Sequence, residues 1–267
     1  MKSKLKIVIV GGVAGGAIAA TRARRLNEDA DITILERGNE ISFANCGLPY
    51  FISRHIERRE QLVLNTPESL WQRYRIKVEV NAEVFRIDKG KQRIHFKKNE
   101  AEHELTYDKL LLSQGARPSV PVIPGIETAA GFAFTLRSLA DMDGIDSFIE
   151  TQRPKTAVIV GGGFIGVEMA EAFVLRGIAT KIIEYAPQIM PNLDPEFAQM
   201  ARENLEAHGV LIRTGVSIKG IEASKKCQLS NGEWVHPDFI LFAAGGRPET
   251  ELAASAGLRI GETGGVE

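Results

Sequence analysis

The feature that most constrains the fold is a pattern that the chain carries twice. Residues 6–37 read KIVIVGGVAGGAIAATRARRLNEDADITILER, and residues 157–185 read AVIVGGGFIGVEMAEAFVLRGIATKIIEY. Each copy starts with a β-branched apolar run, continues through glycines into a helical stretch, and ends with a second apolar run and an acid, Glu36 or Glu184. Strands without a polar face are typical of parallel sheets that are covered on both sides. The chain is therefore predicted to form an α/β fold built from two similar units.

The glycines and the acids together predict that each unit binds a dinucleotide. Glycines allow the backbone to approach a pyrophosphate, and the start of the following helix presents free N–H groups to it. An acid about 20–25 residues further on can accept both hydroxyls of a ribose. The second copy has the full G-x-G-x-x-G spacing, whereas the first has Val13 at the position of the second glycine. Either copy taken alone could be only a helix–strand packing motif, but the duplication favours two Rossmann-like units, each a parallel sheet flanked by helices with a small antiparallel β-meander.

Prolines and glycines predict the boundary between the units. The apolar run 109–113 leads into Gly115, and prolines follow at positions 118, 121 and 124. We therefore expect a first domain over residues 1–117, a second over 118–246, and a return to the first over 247–267. Further strands are predicted around 76–80, 83–88, 92–97, 210–221 and 227–235, and helices at 137–150 and after Thr66.

Composition excludes several classes of partner. Lys plus Arg number 33 and Asp plus Glu number 34, so the net charge of −1 provides no general attraction to nucleic acid or to an anionic membrane. The arginines at 22, 24 and 25 form a local cluster that suits a small anionic ligand. No segment approaches the roughly 20 apolar residues of a membrane span. We expect a small-molecule substrate, with neither nucleic acid nor membrane as a partner.

The two cysteines, Cys46 and Cys227, are far apart and form no C-x-x-C pair. The five histidines show no metal-ligand spacing either, so we expect neither a disulfide framework nor a metal site. A reducing cytoplasm is the expected location, in which Cys46 remains a free thiol. Cys227 carries no motif and is predicted to be a buried core cysteine.

In this combination the sequence resembles the flavoprotein pyridine nucleotide–disulfide oxidoreductases over all 267 residues. The resemblance rests on the N-terminal unit, on GGGFIGVE with Phe164 and Glu168, and on AAGGRPE. It implies FAD in the first domain and NAD(P)H in the second, with Phe164 covering the flavin and Glu168 near the nicotinamide. The implied FAD residues are Gly11, Gly12, Val13, Ala14, Gly15, Gly16, Glu36, Arg37, Ser113 and Gly115. The implied nicotinamide-nucleotide residues are Gly161, Gly163, Phe164, Ile165, Gly166, Glu168, Glu184 and Gly245.

Within that family, SFANCGLPYF at 42–51 looks like the branch with a single redox cysteine. It is most similar to coenzyme A-disulfide reductases and to CoA-dependent persulfide or polysulfide reductases, which implies Cys46 as the redox residue. The same resemblance implies CoA contacts at Arg22, Arg25, Ser42 and Asn45. Arg22 and Arg25 share a helix face and can clamp phosphates, although an ordinary solvated arginine face is an equal alternative.

Other expectations concern the coenzyme and the alternatives. Glu184 favours NADH over NADPH, because a carboxylate repels the 2′-phosphate. An NADH oxidase or peroxidase on the same scaffold is the main alternative, although that branch typically has a histidine where this chain has Ala14. A non-catalytic nucleotide-binding redox sensor is a weaker alternative. Family members continue into a second FAD segment and a dimerisation domain, so we expect a truncated chain and a homodimer at full length.

Overall fold

The computed structural model describes residues 4–267 and contains seventeen strands and seven α-helices. The strands are β1 (Lys6–Val10), β2 (Asp31–Leu35), β3 (Lys77–Glu79), β4 (Glu83–Asp88), β5 (Arg93–Lys98), β6 (Ala101–Thr106), β7 (Lys109–Leu112), β8 (Ala116–Pro118), β9 (Ala133–Thr135), β10 (Thr156–Val160), β11 (Ala179–Glu184), β12 (Leu211–Thr214), β13 (Ile218–Ile221), β14 (Cys227–Leu229), β15 (Trp234–Val235), β16 (Phe239–Phe242) and β17 (Gly246–Pro248). The helices are α1 (Gly15–Leu26), α2 (Leu48–Ile52), α3 (Pro67–Tyr74), α4 (Leu139–Gln152), α5 (Phe164–Leu175), α6 (Pro195–Ala207) and α7 (Glu251–Ser255). Among residues 4–267, no helix combines the length and the apolar character needed to cross a membrane.

The chain divides into two units, and neither is continuous in sequence. The first unit contains the chain up to Ala44, Glu60–Arg117 and Arg247–Glu267. The second contains Asn45–Arg59 and Pro118–Gly246. The sequence-based first domain, 1–117, included Asn45–Arg59, whereas the structure groups this segment with the second unit. Its helix α2 packs against α4 and α5, and these long-range contacts have no signature in the local sequence.

The first unit is built on a parallel sheet in the order β3-β2-β1-β7 and an antiparallel sheet in the order β4-β5-β6. Helix α3 starts as predicted, because the Thr66 hydroxyl accepts from the Ser69 amide at 3.2 Å while the Ser69 hydroxyl accepts from the Thr66 amide at 2.9 Å. Strand β6 lacks a sequence signature, since its side chains are largely exposed.

Both faces of the first parallel sheet are buried, which explains the uniformly apolar β1. Ile9 packs with Ala20 of α1 and Leu70 of α3 on one face. Val8 packs with Ile94 and Phe96 of the antiparallel sheet on the other. Successive strand residues point to opposite faces, so a strand covered on both sides needs apolar residues at every position.

The second unit repeats this plan with a parallel sheet in the order β12-β11-β10-β16-β9 and an antiparallel sheet in the order β13-β14-β15. Phe239 of β16 lies at the centre of an aromatic cluster, with its ring centroid 5.0 Å from that of Phe173 and 5.5 Å from that of Phe148. The single strand predicted over 210–221 is two strands in different sheets, because the backbone turns at Gly215 with φ +69°. The predicted α/β fold class is confirmed.

The two glycine turns have the same geometry, and each follows the strand at which the order of strands along its sheet reverses. Gly11 has φ +97°, and a Cβ there would lie 2.2 Å from the carbonyl oxygen of Ser113. Gly161 has φ +109°, and its Cβ would lie 2.4 Å from the carbonyl oxygen of Ala243. In each unit the strand before the turn has its sequential successor on one side and a later strand on the other. Such switch points are where open α/β sheets bind ligands.

We predict that Gly166→Ala destabilises the protein by at least about 2 kcal/mol. A Cβ at Gly166 would lie 2.0 Å from the Gly161 carbonyl oxygen, so helix and strand must separate. Gly144, an exposed position inside α4 with open space around its Cα, provides the control. Gly144→Ala should stabilise by about 0.5–1 kcal/mol. Urea unfolding of both variants measures the difference, and equal midpoints would contradict the close approach.

Candidate nucleotide and redox sites

The turn between β1 and α1 leaves the start of the helix free to meet a ligand. Helix α1 begins at Gly15, and no side chain caps it. The N–H groups of an uncapped first turn attract anions, since they lack helical partners and carry a partial positive charge. The hydroxyl of Ser113 lies beside Gly15, where a Cβ would be only 2.7 Å from its oxygen. Val13 and Ala14 complete this turn, with Ala14 exposed at the helix N-cap.

The acid that ends the second strand is held in the same way in both units. In the first, Glu36 is buried, and its carboxylate accepts from the amides of Gly12 at 2.7 Å and Gly38 at 2.8 Å. In the second, the Glu184 carboxylate accepts from the amides of Gly162 at 2.5 Å and Ala186 at 2.6 Å. Each carboxylate oxygen keeps a further lone pair, so the two oxygens of each oriented carboxylate can accept hydrogen bonds from two ribose hydroxyls.

The two units also correspond at a third place, in segments whose sequences show no common pattern. Ser42 and Met190 both have φ +47°. The Ser42 amide donates to the Gly12 carbonyl at 3.0 Å, and the Met190 amide donates to the Gly162 carbonyl at 2.7 Å. The left-handed conformation costs energy for residues other than glycine, so its presence at equivalent places indicates a shared structural requirement.

The first unit contains a cavity of about 350 Å³ at the ends of β1 and β2. Gly11, Glu36 and Arg37 line it from the N-terminal segment, and Glu249 and Leu252 line it from the segment after the second unit. Two ion pairs fix that later segment. The Arg37 guanidinium lies 2.9 Å from the Glu249 carboxylate, and Arg117 lies 2.6 Å from Glu251.

Gly115 holds the same segment, since its carbonyl accepts from the Glu249 amide at 2.9 Å. The sequence analysis included Glu249 in the motif AAGGRPE but predicted neither Glu249 nor Leu252 at this cavity, because more than two hundred positions separate them from the glycine turn.

The second unit contains a larger cavity of about 830 Å³ at the ends of β10, β11 and β16. Of the residues predicted to bind the nicotinamide nucleotide, five line it: Gly161, Gly163, Phe164, Glu184 and Gly245. Nothing lies within 4 Å of a Cβ built on Gly163, so this glycine opens space beside the start of α5. The sequence analysis missed other lining residues, among them Tyr185, Asn192 and Lys219, which follow no fingerprint spacing.

Three further predicted residues lie on α5 and do not line this cavity. Gly166 packs against Gly161, and Ile165 is exposed on the first turn of the helix. Glu168 is half-buried one turn after Phe164. Burial raises the pKa of the Glu168 carboxyl, and the charge of Glu171 adds to the effect. Glu168 is therefore a carboxyl that holds its proton more tightly than an ordinary surface glutamate.

Cys46 is exposed in a short 3₁₀ turn, Asn45–Gly47, that leads into α2. Ion pairs attach the segment after it to α4: Arg54 lies 2.9 Å from Asp146 and 2.6 Å from Glu150. The Arg59 guanidinium lies 2.8 Å from the Asp143 carboxylate of the same helix.

Arg176 at the end of α5 extends this attachment. Its guanidinium donates to the Ile52 carbonyl at 2.8 Å and also pairs with Asp146 and Glu150. The hydrogen bond from Arg54 and the charge of Arg176 lower the pKa of the Glu150 carboxyl. The cysteine segment is therefore fixed to the helix whose other end borders the larger cavity.

The predicted CoA contacts have different surroundings. Arg22 and Arg25 are exposed on α1, and within residues 4–267 Arg22 has neither an ion pair nor a hydrogen bond from its side chain. Arg24 is unavailable, because its guanidinium donates to the carbonyls of Tyr74 at 2.7 Å and Glu28 at 2.6 Å.

The Ser42 hydroxyl is buried and accepts from the Asn65 side-chain amide at 3.0 Å. Asn45 is exposed next to Cys46. Arg22, Arg25 and Ser42 belong to the first unit, and Asn45 belongs to the second.

The sequence profile of one family, pyridine nucleotide-disulphide oxidoreductase, matches residues 5–267. The chain belongs to this family. Its two uncapped helix starts, its two oriented acids and the open space beside Gly163 fit the pyrophosphate and ribose of bound dinucleotides. The family's use of FAD and NAD(P)H is therefore compatible with the residues that this chain presents.

Several relatives resemble the chain over nearly its whole length. The NAD(P)H sulfur oxidoreductase (CoA-dependent) of Pyrococcus abyssi is 35% identical over 100% of this chain and 59% of its own. The coenzyme A disulfide reductase of Staphylococcus aureus is 32% identical over 97% of this chain and 58% of its own. The solved structure of reduced Bacillus anthracis CoADR-RHD covers 98% of this chain and 47% of its own, at 42% identity and a TM-score of 0.95.

A relative with a different name also aligns: the NADH oxidase of Methanocaldococcus jannaschii is 30% identical over 97% of this chain. The chain thus spans a little under three fifths of the length of the curated relatives it matches.

Cys46 is exposed, whereas Cys227 is a buried core cysteine, as the sequence predicted. Cys227 is fully buried in β14, and burial raises the pKa of its thiol to about 11. We predict that iodoacetamide at pH 8 labels Cys46 rapidly and leaves Cys227 unlabelled in the native protein, since only about a thousandth of the Cys227 thiol is ionised there. Peptide mass spectrometry locates the label. Rapid labelling that persists in Cys46→Ser but disappears in Cys227→Ala would contradict this assignment.

Proposed function

We propose that this protein, with FAD in the first unit and NADH in the second, reduces disulfides or persulfides of coenzyme A through Cys46. The observation that carries the proposal is the position of Cys46. It is exposed on a segment that packs against α5, the helix whose start borders the larger cavity. One fixed unit thus contains an accessible thiol and a cavity suited to a reducing coenzyme.

The chain's own residues bind and orient the coenzymes. In the first unit, the uncapped start of α1 and Ser113 face the pyrophosphate of FAD, and Glu36 accepts from its ribose. In the second, the start of α5 and Glu184 do the same for NADH, with Phe164 and Glu168 near the nicotinamide. When bound, FAD and NADH supply the two electrons that the reaction consumes. Arg37 fixes the rim of the FAD cavity through its ion pair with Glu249.

Cys46 is the proposed nucleophile. Its thiolate attacks one sulfur of CoA disulfide, the S–S bond breaks, and one CoA leaves as a thiolate. Cys46 then carries the other CoA in a mixed disulfide. Two electrons break this bond, returning the Cys46 thiolate and releasing the second CoA. Per turnover, one NADH and one proton give NAD⁺ and two CoA thiols. With a CoA persulfide, the Cys46 thiolate attacks the outer sulfur and CoA leaves as a thiolate; two electrons then break the new S–S bond on Cys46 and release hydrosulfide. A polysulfide reacts with the Cys46 thiolate in the same way, with the shortened polysulfide as the leaving group.

Four residues are proposed to bind CoA. Arg22 and Arg25, exposed on one face of α1, present cations to the CoA phosphates. Asn45 offers an amide beside the reacting sulfur. Ser42 contributes through its hydroxyl, which accepts from the Asn65 amide and can still donate its own proton. Relatives that are named for CoA disulfide and for CoA-dependent sulfur reduction support this substrate class. We expect the full-length protein to act as a homodimer in the cytoplasm.

An NADH oxidase is the second candidate, favoured by the similarity to the Methanocaldococcus jannaschii relative. Ala14 disfavours peroxide chemistry, since an alanine provides no proton donor in the turn before α1. Oxygen consumption that needs no CoA would select the oxidase.

We predict that Cys46→Ser abolishes CoA-disulfide reduction, because the hydroxyl cannot form the mixed disulfide. The measurement is an anaerobic NADH titration of the FAD-loaded protein, at its full natural length, with CoA disulfide as acceptor and released thiol as product. Intact mass of untreated wild type should show one CoA on Cys46. Cys227→Ala serves as the control and should keep its activity. An unmodified thiol in the wild type, together with full activity of Cys46→Ser, would reject the proposal.

We propose that NADH is the preferred coenzyme, because the Glu184 carboxylate faces the ribose and repels a 2′-phosphate. Glu184→Ala should raise the kcat/KM for NADPH relative to that for NADH by at least about tenfold. The substitution removes the charge and frees the amides of Gly162 and Ala186 to donate to a phosphate. Steady-state kinetics with both coenzymes measure the ratio, and a ratio unchanged from wild type would refute the role of Glu184.

A further inference from the structure

Charged side chains are scarce in the larger cavity. Among the described residues that line it, the only ones with a formal charge are Glu184 and Lys219. The pyrophosphate of a dinucleotide bears two negative charges, and a 2′-phosphate adds to them. A cation in the wall of this cavity therefore affects which nucleotide binds.

The strand that carries Lys219 is tied to the cavity at both ends. Just before β13, the Val216 amide donates to the Glu184 carbonyl at 3.1 Å. At its far end, the Ile221 amide donates to the Pro124 carbonyl at 2.9 Å. Ile218 and Ile221 are buried, whereas Lys219 is exposed at an irregularity in the pairing of the strand between Ile218 and Gly220.

Lys219 is also chemically available. Within residues 4–267 its ammonium group has neither an ion pair nor a hydrogen bond. Other cations of the same unit have partners: Lys181 lies 2.9 Å from Glu233, and Arg213 lies 3.4 Å from the same carboxylate. Lys225 donates to the Asp238 carbonyl at 3.0 Å.

Glu184 fixes where an additional phosphate would be. Two amides orient its carboxylate, so a ribose that binds there places its 2′-oxygen at the end of β11. Val216 hydrogen-bonds to that residue, and Lys219 follows roughly 10 Å further along an extended chain. The flexible four-carbon stem of a lysine can bring its ammonium group back toward a phosphate on the 2′-oxygen.

We propose that Lys219 is a specificity-determining residue that lets this cavity accept the 2′-phosphate of NADPH as well as NADH. The inference rests on the proposed nucleotide role of the second unit. Glu184 disfavours the phosphate and Lys219 partly offsets that repulsion, so discrimination between the two coenzymes is incomplete. Because Lys219 is exposed, its contribution decreases as salt screens the charges.

Equilibrium binding of two nicotinamide-free probes, 5′-ADP and 2′,5′-ADP, tests the inference without relying on catalysis. By calorimetry at low ionic strength, Lys219→Gln should weaken 2′,5′-ADP about fivefold to tenfold while changing 5′-ADP less than about twofold. Lys219→Arg should retain wild-type affinity for both probes. Lys226→Gln provides the matched control, since Lys226 is an exposed lysine of the same unit that does not line the cavity. It should change neither affinity.

The outcomes separate this inference from the proposed function. Equal weakening of both probes by Lys219→Gln would assign the lysine to the 5′-phosphate that both probes carry and would overturn the inference, as would no change in either. In both cases the nucleotide role of the second unit stands, because wild type binds 5′-ADP. Failure of wild type to bind either probe would overturn both. Thermal melting of each variant confirms that the lysine substitutions leave the fold intact.

Discussion

The contact on which both proposed nucleotide sites depend is the approach of a helix backbone to the turn that precedes it. A Cβ on Gly16 would lie 1.8 Å from the Gly11 carbonyl oxygen, and one on Gly166 would lie 2.0 Å from that of Gly161. With no side chain in between, the helix start is held against the end of its strand. The helix N–H groups and the acid of the next strand are thereby directed to one place, and a dinucleotide needs both.

The two copies of this arrangement are more alike in structure than in sequence. Val13 stands where the second unit has Gly163, yet the same hydrogen bonds hold Glu36 and Glu184. Their differences concern the surroundings: an ion-paired segment from the end of the chain borders the first cavity, whereas a lysine-bearing antiparallel strand borders the second. The two units thus share the backbone geometry of the turn, while the walls of their cavities differ.

The fold was largely predictable because its main signals are local. The apolar run of β1, the glycines that follow it and the Thr66 cap each act within a few residues, and the structure contains all three features. The site was predictable only in part. Contacts between segments that are tens or hundreds of positions apart place three residues that the sequence did not reveal: Ser42 with its left-handed backbone, Glu249 near the end of the chain, and Lys219 in the wall of the larger cavity. No periodicity of hydrophobic residues encodes such contacts.

The attachment of the cysteine segment limits how the chain can be divided. Asn45–Arg59 emerges from the first unit in sequence, yet Arg54, Arg59 and Arg176 bind it into the second. A fragment cut at Pro118 and Gly246 would therefore lack part of its own surface, leaving apolar patches on α4 and α5 exposed and Asp146 without Arg54. The second unit is not a cassette that recombination could transfer intact between genes. A transfer of Pro118–Gly246 alone would carry the larger cavity without Cys46.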